Sequence, residues 1–354
     1  MKSILISTSS LWNCGDDFIR MGVLELLRLR GDVRQIWWNR AYGVEPTFAN
    51  DLTVNLPHID YLIFAGTPEW VERNEALYQY ALRRQIPIAL IGVGMRGCAK
   101  TERQHRLMRR VAASGLVEVC MARDHIARDY LQSLGFSNVR QIPDPAFFLP
   151  TIECESNLNI VCWRDLRAEM PNMLLQPRRA AAWCLRGRRV SMEKASILDE
   201  KLQRAYDELP DPKLVIVHDN REIARAETLF GSGNVFYATD HIEILRRYAR
   251  ARLLVGARIH GAVASIVHGA VVKLYYGNEK AAVIDDSIDI LANGDNDLRK
   301  RVQVEFIDTK GRVDESVPVA DGRRRIWADR IAQVKDEIRV ELLKTRLLSS
   351  LIQD

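Results

Sequence analysis

The 354-residue sequence has no Cys-x-x-Cys pair, no uninterrupted apolar run of membrane length and little net charge for its size. Each absence removes a class of protein. The six cysteines, Cys14, Cys98, Cys120, Cys154, Cys162 and Cys184, are scattered, so zinc-ribbon and zinc-finger spacings are missing and no metal is expected. The start, Met1 to Ser7, has one basic residue and a very short apolar run, which does not make a signal peptide. Free thiols without such a leader fit a reducing cytosol, and a cytoplasmic location is expected. The longest apolar stretch, Leu253 to Tyr276, carries Arg258, His260, His268 and Lys273. Four polar or charged groups are too costly for a bilayer span. A formal charge of +5 is too small to imply a nucleic-acid partner. No Walker pattern, H-E-x-x-H helix or G-x-S-x-G elbow is found, which removes the usual support for those hydrolytic classes.

What remains is an ordinary globular composition, 47% hydrophobic and 27% charged, in a chain long enough for two domains at roughly 150 residues each. Short β-rich runs alternate with amphipathic helical patterns, the mark of α/β layers with parallel strands. Strands are expected at 3–7, 61–65, 86–93, 117–122, 158–163, 213–218, 234–237, 253–256 and 271–275. Helices are expected at 18–30, from the turn after Pro68 to 84, and at 102–113, 128–134, 241–251 and 261–267. Pro143-Asp144-Pro145, Pro150 and a polar stretch interrupt the pattern, which puts a domain boundary near residue 150. The tail from Arg323 to Asp354 reads as a helix. Ile331, Val334, Ile338, Leu342 and Leu347 form one apolar stripe on it. Such a stripe packs across the domains, against a second subunit in a homo-oligomer, or on an anionic membrane face as a peripheral contact.

Several motifs carry chemistry. Gly92-Val93-Gly94-Met95-Arg96-Gly97 matches G-x-G-x-x-G after a strand, but it lies mid-domain, and Glu118 falls inside the next strand rather than at its tip. A tight backbone turn is the preferred reading over a dinucleotide site. Asn13-Cys14-Gly15-Asp16-Asp17 joins the first strand to the first helix. There Asp16 or Asp17 is either a helix N-cap or a carboxylate for a sugar hydroxyl. The most informative stretch runs from Leu253 to Ala262. An apolar strand delivers Arg258 and His260 at its C-terminal end, and Gly261 opens a helix. Open α/β sheets bind ligands at that edge. Guanidinium pairs well with carboxylate or phosphate, and imidazole exchanges a proton near neutral pH. Arg164 follows another apolar strand and is either a second anion clamp or a solvent-facing arginine. His218-Asp219 ends a third, and either residue lines the site or only caps a turn. His268 is read as a packing or helix-end residue. Arg178, Arg179, Arg186, Arg188 and Arg189 form a basic cluster, a solvated face or an attractor for an anionic glycan or a phosphorylated lipid carrier.

With these segments assembled, the chain resembles the polysaccharide pyruvyl transferase family from about residue 3 to 290. The resemblance rests on Asn13 to Asp16, on Ala122-Arg123-Asp124 through Arg128 and Leu131, and on Gly135 to Val139 followed by Pro143-Asp144-Pro145-Ala146-Phe147. It rests most on Arg258-Ile259-His260-Gly261, then on Gly269-Ala270-Val271-Val272 and Lys280. The chain departs at Ala65-Gly66-Thr67-Pro68, where the family is richer in glycine.

The resemblance implies two Rossmann-like domains in a glycosyltransferase-B-like arrangement with an interdomain cleft. Residues 1–150 would serve the acceptor, 151–320 phosphoenolpyruvate, and 321–354 would be the C-terminal amphipathic helix. It implies transfer of pyruvate from phosphoenolpyruvate to two hydroxyls of one sugar, giving a cyclic ketal and phosphate. Phosphoenolpyruvate is then a co-substrate, with no cofactor. By the same resemblance Arg258, Ile259 and His260 bind the donor and supply the acid, and Arg164 holds the donor too. Asn13, Gly15, Gly261 and Lys280 belong to the binding set, and Asp16 is the candidate base. The acceptor is a saccharide, free or lipid-linked, in the second case at the inner face of the membrane. The alternatives are a nucleotide-sugar glycosyltransferase of the same architecture and a non-catalytic glycan-binding protein.

Overall fold

The computed structural model describes residues 2–8, 14–38, 58–66, 71, 74–95, 101–167, 188–276, 281–306 and 327–353. In the N-terminal half these form β1 (Lys2–Ser7), α1 (Cys14–Leu27), β2 (Val33–Trp38), β3 (Tyr61–Ala65), α2 (Glu75–Arg84), β4 (Ile88–Val93), α3 (Glu102–Ala113), β5 (Val117–Ala122), α4 (His125–Ser133) and β6 (Arg140–Gln141). A 3-10 turn, Pro145–Phe148, closes this half. Then come β7 (Leu158–Cys162), α5 (Arg188–Glu208), β8 (Lys213–Ile216), α6 (Ile223–Phe230), β9 (Val235–Phe236), α7 (His241–Ala249), β10 (Ala251–Gly256), α8 (Ile259–Val267) and β11 (Val271–Tyr276). The chain continues with α9 (Ala281–Ala292), α10 (Asn296–Lys300), β12 (Val302–Phe306), α11 (Ala328–Leu343) and a 3-10 turn at Leu348–Leu351.

Two six-stranded sheets result, and every strand pairing in them is parallel. The first has the order β2-β1-β3-β4-β5-β6 and the second β12-β11-β10-β7-β8-β9. Strands covered on both faces read as near-continuous apolar runs, as β3 and β4 do, and β11 is likewise buried at every position although it carries Lys273. Counted from its own first strand, β7, the second sheet runs 6-5-4-1-2-3, the doubly wound dinucleotide-fold order. Its strand order reverses between β7 and β10. The first sheet reverses between β1 and β3. Leu253 to Tyr276, the longest apolar stretch, is therefore a strand-helix-strand unit of a sheet. Among the described residues no helix is long and apolar enough to cross a membrane.

The chain divides into two compact units. The first holds Met1–Pro150, Ala282–Gly294 and Ala328–Asp354; the second holds Thr151–Ala281 and Asp295–Trp327. A cut that leaves all of 151–320 in one domain is thus corrected, because α9 crosses back to the first unit. There Ser287 Oγ accepts from the Asp144 amide at 2.9 Å, and Asp286 accepts from the His125 amide at 2.7 Å. The alternation also outlasts β11, since α9, α10 and β12 follow it. The tail helix is shorter than 323–354 and belongs to the first unit. Ile331, Val334, Ile338 and Leu342 are buried in it, whereas Leu347 is exposed. Lys335 pairs with Glu25 of α1 at 3.0 Å, and Arg339 donates to the Leu26 carbonyl at 2.8 Å. Four of the stripe's five residues are thus consumed inside this unit, and Leu347 is not.

Candidate functional site

The switch point of the second sheet is where its sequence becomes polar. Gly256 ends β10 against β7: a Cβ there would lie 2.7 Å from the Cys162 carbonyl oxygen, and the Ala257 amide donates to that oxygen at 2.9 Å. Trp163 continues β7 as a fully buried side chain, with Nε1 donating to Asp199 at 2.9 Å. These locks bring the next residues, Arg164 and Arg258, to one edge. Arg258 Nε donates to the Trp163 carbonyl at 3.2 Å, and its Nη2 donates to both carboxylate oxygens of Glu222. Glu222 is 3% exposed and also accepts from the Asp165 amide at 3.0 Å.

Arg258 is the N-terminal boundary residue of α8, which carries no side-chain cap. The helix starts at Ile259 rather than at Gly261, so His260 and Gly261 lie in its first turn. That turn presents amides and the positive end of the helix dipole. Ile259 is buried, which leaves only its backbone to meet a ligand. Gly261 is required by what lies beneath: a Cβ there would stand 2.7 Å from the Tyr248 hydroxyl and 2.8 Å from Cys162 Sγ. Tyr248 Oη is hydrogen-bonded to His218 Nε2 at 2.6 Å and to Cys162 Sγ at 2.8 Å.

His218 is held well below the ordinary imidazole value, first by burial and then by the charges of Arg258, His260 and Arg164. The Cys162 thiol is pushed up to about 11, mainly by burial, while Arg258 and Arg164 oppose the rise. Arg164 and Arg258 follow the adjacent parallel strands β7 and β10 at the same sheet edge, His260 lies in the first turn of α8, and all three charges act on the buried His218. Asp219 turns away from this role. It accepts from the Arg221 amide at 3.0 Å and pairs with the Arg221 guanidinium, which lowers its acidity range. His268 is structural, with Nδ1 on the Ala264 carbonyl at 2.7 Å and Nε2 accepting from the Ile152 amide at 3.0 Å.

The remaining candidates are elsewhere or undescribed. Gly15, Asp16 and Asp17 are buried in the first turns of α1, in the other unit. Asp17 pairs with Arg20 at 3.3 Å. Neither aspartate is an N-cap, because α1 begins at Cys14. Asn13, Lys280 and most of the basic cluster, Arg178, Arg179 and Arg186, lie outside the described residues. Arg188 and Arg189 open α5, with side chains that are not described. Gly92 and Gly94 serve packing: their Cβ atoms would lie 2.2 Å from Pro145 Cγ and 2.4 Å from Arg123 Nε. Glu118 accepts from Tyr61 Oη and from the amides of Leu347 and Leu348, so it anchors the tail. Among the described residues no three His, Cys, Asp or Glu side chains gather as a metal site requires.

A model of the polysaccharide pyruvyl transferase family matches residues 13–272. The chain belongs to this family. It is a transferase by that membership, and the matched stretch spans the first turn, Arg123-Asp124, Asp144 and the Arg258–Gly261 turn, but not Lys280. Arg123 and Asp144 form a buried ion pair at 2.7 Å, so those family-like segments build the first unit's frame. A comparison with curated protein sequences returned no match. Among solved structures, the chain is similar to Staphylococcus aureus MnaA with UDP, at 13% identity over 85% of this chain and 90% of that one (TM-score 0.49). It is similar to UDP-GlcNAc 2-epimerase from Neisseria meningitidis bound to UDP-GlcNAc, at 11% identity over 98% and 100% (TM-score 0.49). It is also similar to CalG4, the calicheamicin glycosyltransferase, at 12% identity over 96% and 95% (TM-score 0.41). Likeness at this level says nothing of substrate.

Proposed function

We propose that this pyruvyl transferase family member moves pyruvate from phosphoenolpyruvate to two hydroxyls of a saccharide as a cyclic ketal, in polysaccharide or glycoconjugate biosynthesis. One observation supports the reading: Arg164 and Arg258 follow neighbouring strands at the switch point of the second sheet, and His260 lies in the first turn of the uncapped helix that starts there. Phosphoenolpyruvate bears a carboxylate and a phosphate, and desolvating both needs guanidinium forks and amide donors. His260, as imidazolium, protonates the methylene carbon, and a sugar hydroxyl attacks the cationic centre that forms. Asp16, our candidate base, takes the first hydroxyl proton, and exchange through solvent returns a proton to His260. Phosphate then leaves, the second hydroxyl closes the ring, and its proton departs with the phosphate. The chemistry as written draws on no cofactor, and its donor places the reaction in the cytoplasm, at the inner membrane face if the acceptor is lipid-linked.

The test incubates the protein with phosphoenolpyruvate and a panel of free and lipid-linked saccharides, following phosphate release and the mass gain of a pyruvyl ketal. No phosphate above background with any acceptor overturns the reading. Consumption of a nucleotide sugar instead selects the glycosyltransferase alternative. For His260→Ala the expected loss in kcat is about a hundredfold or more, the usual scale for a general acid.

A further inference from the structure

Resting on that donor reading, we propose that Glu222 is the positioning residue of the donor site. It sits in the short turn after β8, a segment with no sequence signature for binding. Its carboxylate is 3% exposed and accepts three hydrogen bonds: two from Arg258 Nη2 and one from the Asp165 amide. Asp165 directly follows Arg164. One buried carboxylate thus ties together the turn after β7 and the turn after β10, which carry the two arginines.

The arrangement answers a physical need. Arg164 and Arg258 leave neighbouring parallel strands at one sheet edge, and like charges so placed repel each other. A guanidinium left to itself also samples many rotamers, and ordering it on binding costs affinity. Glu222 supplies both a counter-charge and a two-point hold for one amino group of Arg258, while the Trp163 carbonyl holds Nε. The fork is planar, so fixing these two nitrogens fixes the direction of the whole guanidinium. Glu222 itself is anchored by the Asp165 amide and by its own amide, which donates to the Asp219 carbonyl at 3.0 Å. Arg258 is in this way aimed before the donor arrives.

A residue that aims a binding group acts on donor capture, whereas one that takes part in proton transfer acts on turnover. In the protein with phosphoenolpyruvate and its acceptor, Glu222→Ala should raise the donor KM by about tenfold or more. Its kcat at saturating donor should stay within about threefold of the parent, with acceptor KM unchanged. Glu222→Gln keeps one acceptor oxygen for Arg258 and Asp165 and should recover part of that loss. If Glu222→Ala does not fold, as circular dichroism would show, the Gln variant decides alone through a severalfold rise in donor KM at unchanged kcat. A donor KM equal to the parent's in the folded variants, or a fall in kcat without a change in donor KM, overturns the proposal. A parent protein that neither binds nor consumes phosphoenolpyruvate overturns the transferase reading and this proposal with it, so the two failures are told apart before any variant is made.

Discussion

Gly261 shows how one missing side chain shapes the site. Adding a methyl forces it against the Tyr248 hydroxyl, which His218 and Cys162 already hold from other sides. Gly261→Ala should therefore displace the first turn of α8, costing about 1–3 kcal/mol of stability, the usual range for overpacking. Activity should drop at least about tenfold, since small misplacements of reacting groups are expensive. Thermal unfolding and phosphate release measure the two effects. His218 makes a pH prediction. Its native value lies below the unfolded one, so below about pH 6.5 the unfolded chain binds a proton that the folded chain refuses. Stability contributed by the neutral residue is complete above that pH and is lost on acidification, at a slope of at most about 1.4 kcal/mol per pH unit. Denaturant titrations between pH 7.5 and 5 should show a shallower acid slope in His218→Gln than in the parent. An equal slope in both would remove His218 from the account. Sequence reading singled out the arginines and His260 because they come just after apolar strands. Glu222 and Tyr248 were not legible, because nothing local separates them from any other loop Glu or helix Tyr.

At the level of elements, the long apolar strands and the strongly capped helices were readable. α3 starts at a full capping box, where Thr101 and Gln104 satisfy each other's backbone amides, and it runs over Glu102–Ala113 as its pattern predicts. β2 was not recognised, since Val33-Arg34-Gln35-Ile36 lacks the apolar run of a central strand; it is the edge of its sheet. α8 begins two residues before Gly261 because the turn is set by packing on Tyr248 and not by helix-start residues. The tail is held by polar contacts that no periodicity reveals. Glu118→Ala should free the Leu347 and Leu348 amides, with a cost of about 1 kcal/mol, the typical net value of such bonds. Faster hydrogen exchange at those two amides, with the β5 amides unchanged, is the expected result.

For the molecule as a whole, the buried Arg123–Asp144 pair is a point where one substitution does large damage. Both side chains are buried, and Asp144 also accepts from the Ala146 amide at 2.9 Å. Replacing Asp144 by Asn strands a buried guanidinium, at about 3–5 kcal/mol by the behaviour of broken buried pairs. Calorimetry of Asp144→Asn should show that loss in the first unit, and the phosphoenolpyruvate binding proposed for the second unit should survive. What the sequence determined by itself was the α/β class, the interruption near residue 150 and the delivery of Arg and His to strand ends, because strand and helix periodicities are local. Only the tertiary structure decided that β7 and β10 are neighbours, that α9 and α11 return to the first unit, and that Glu222 lies between the two arginine turns. Those outcomes depend on pairings between segments up to hundreds of residues apart, which burial and parallel register select and no short window of residues records.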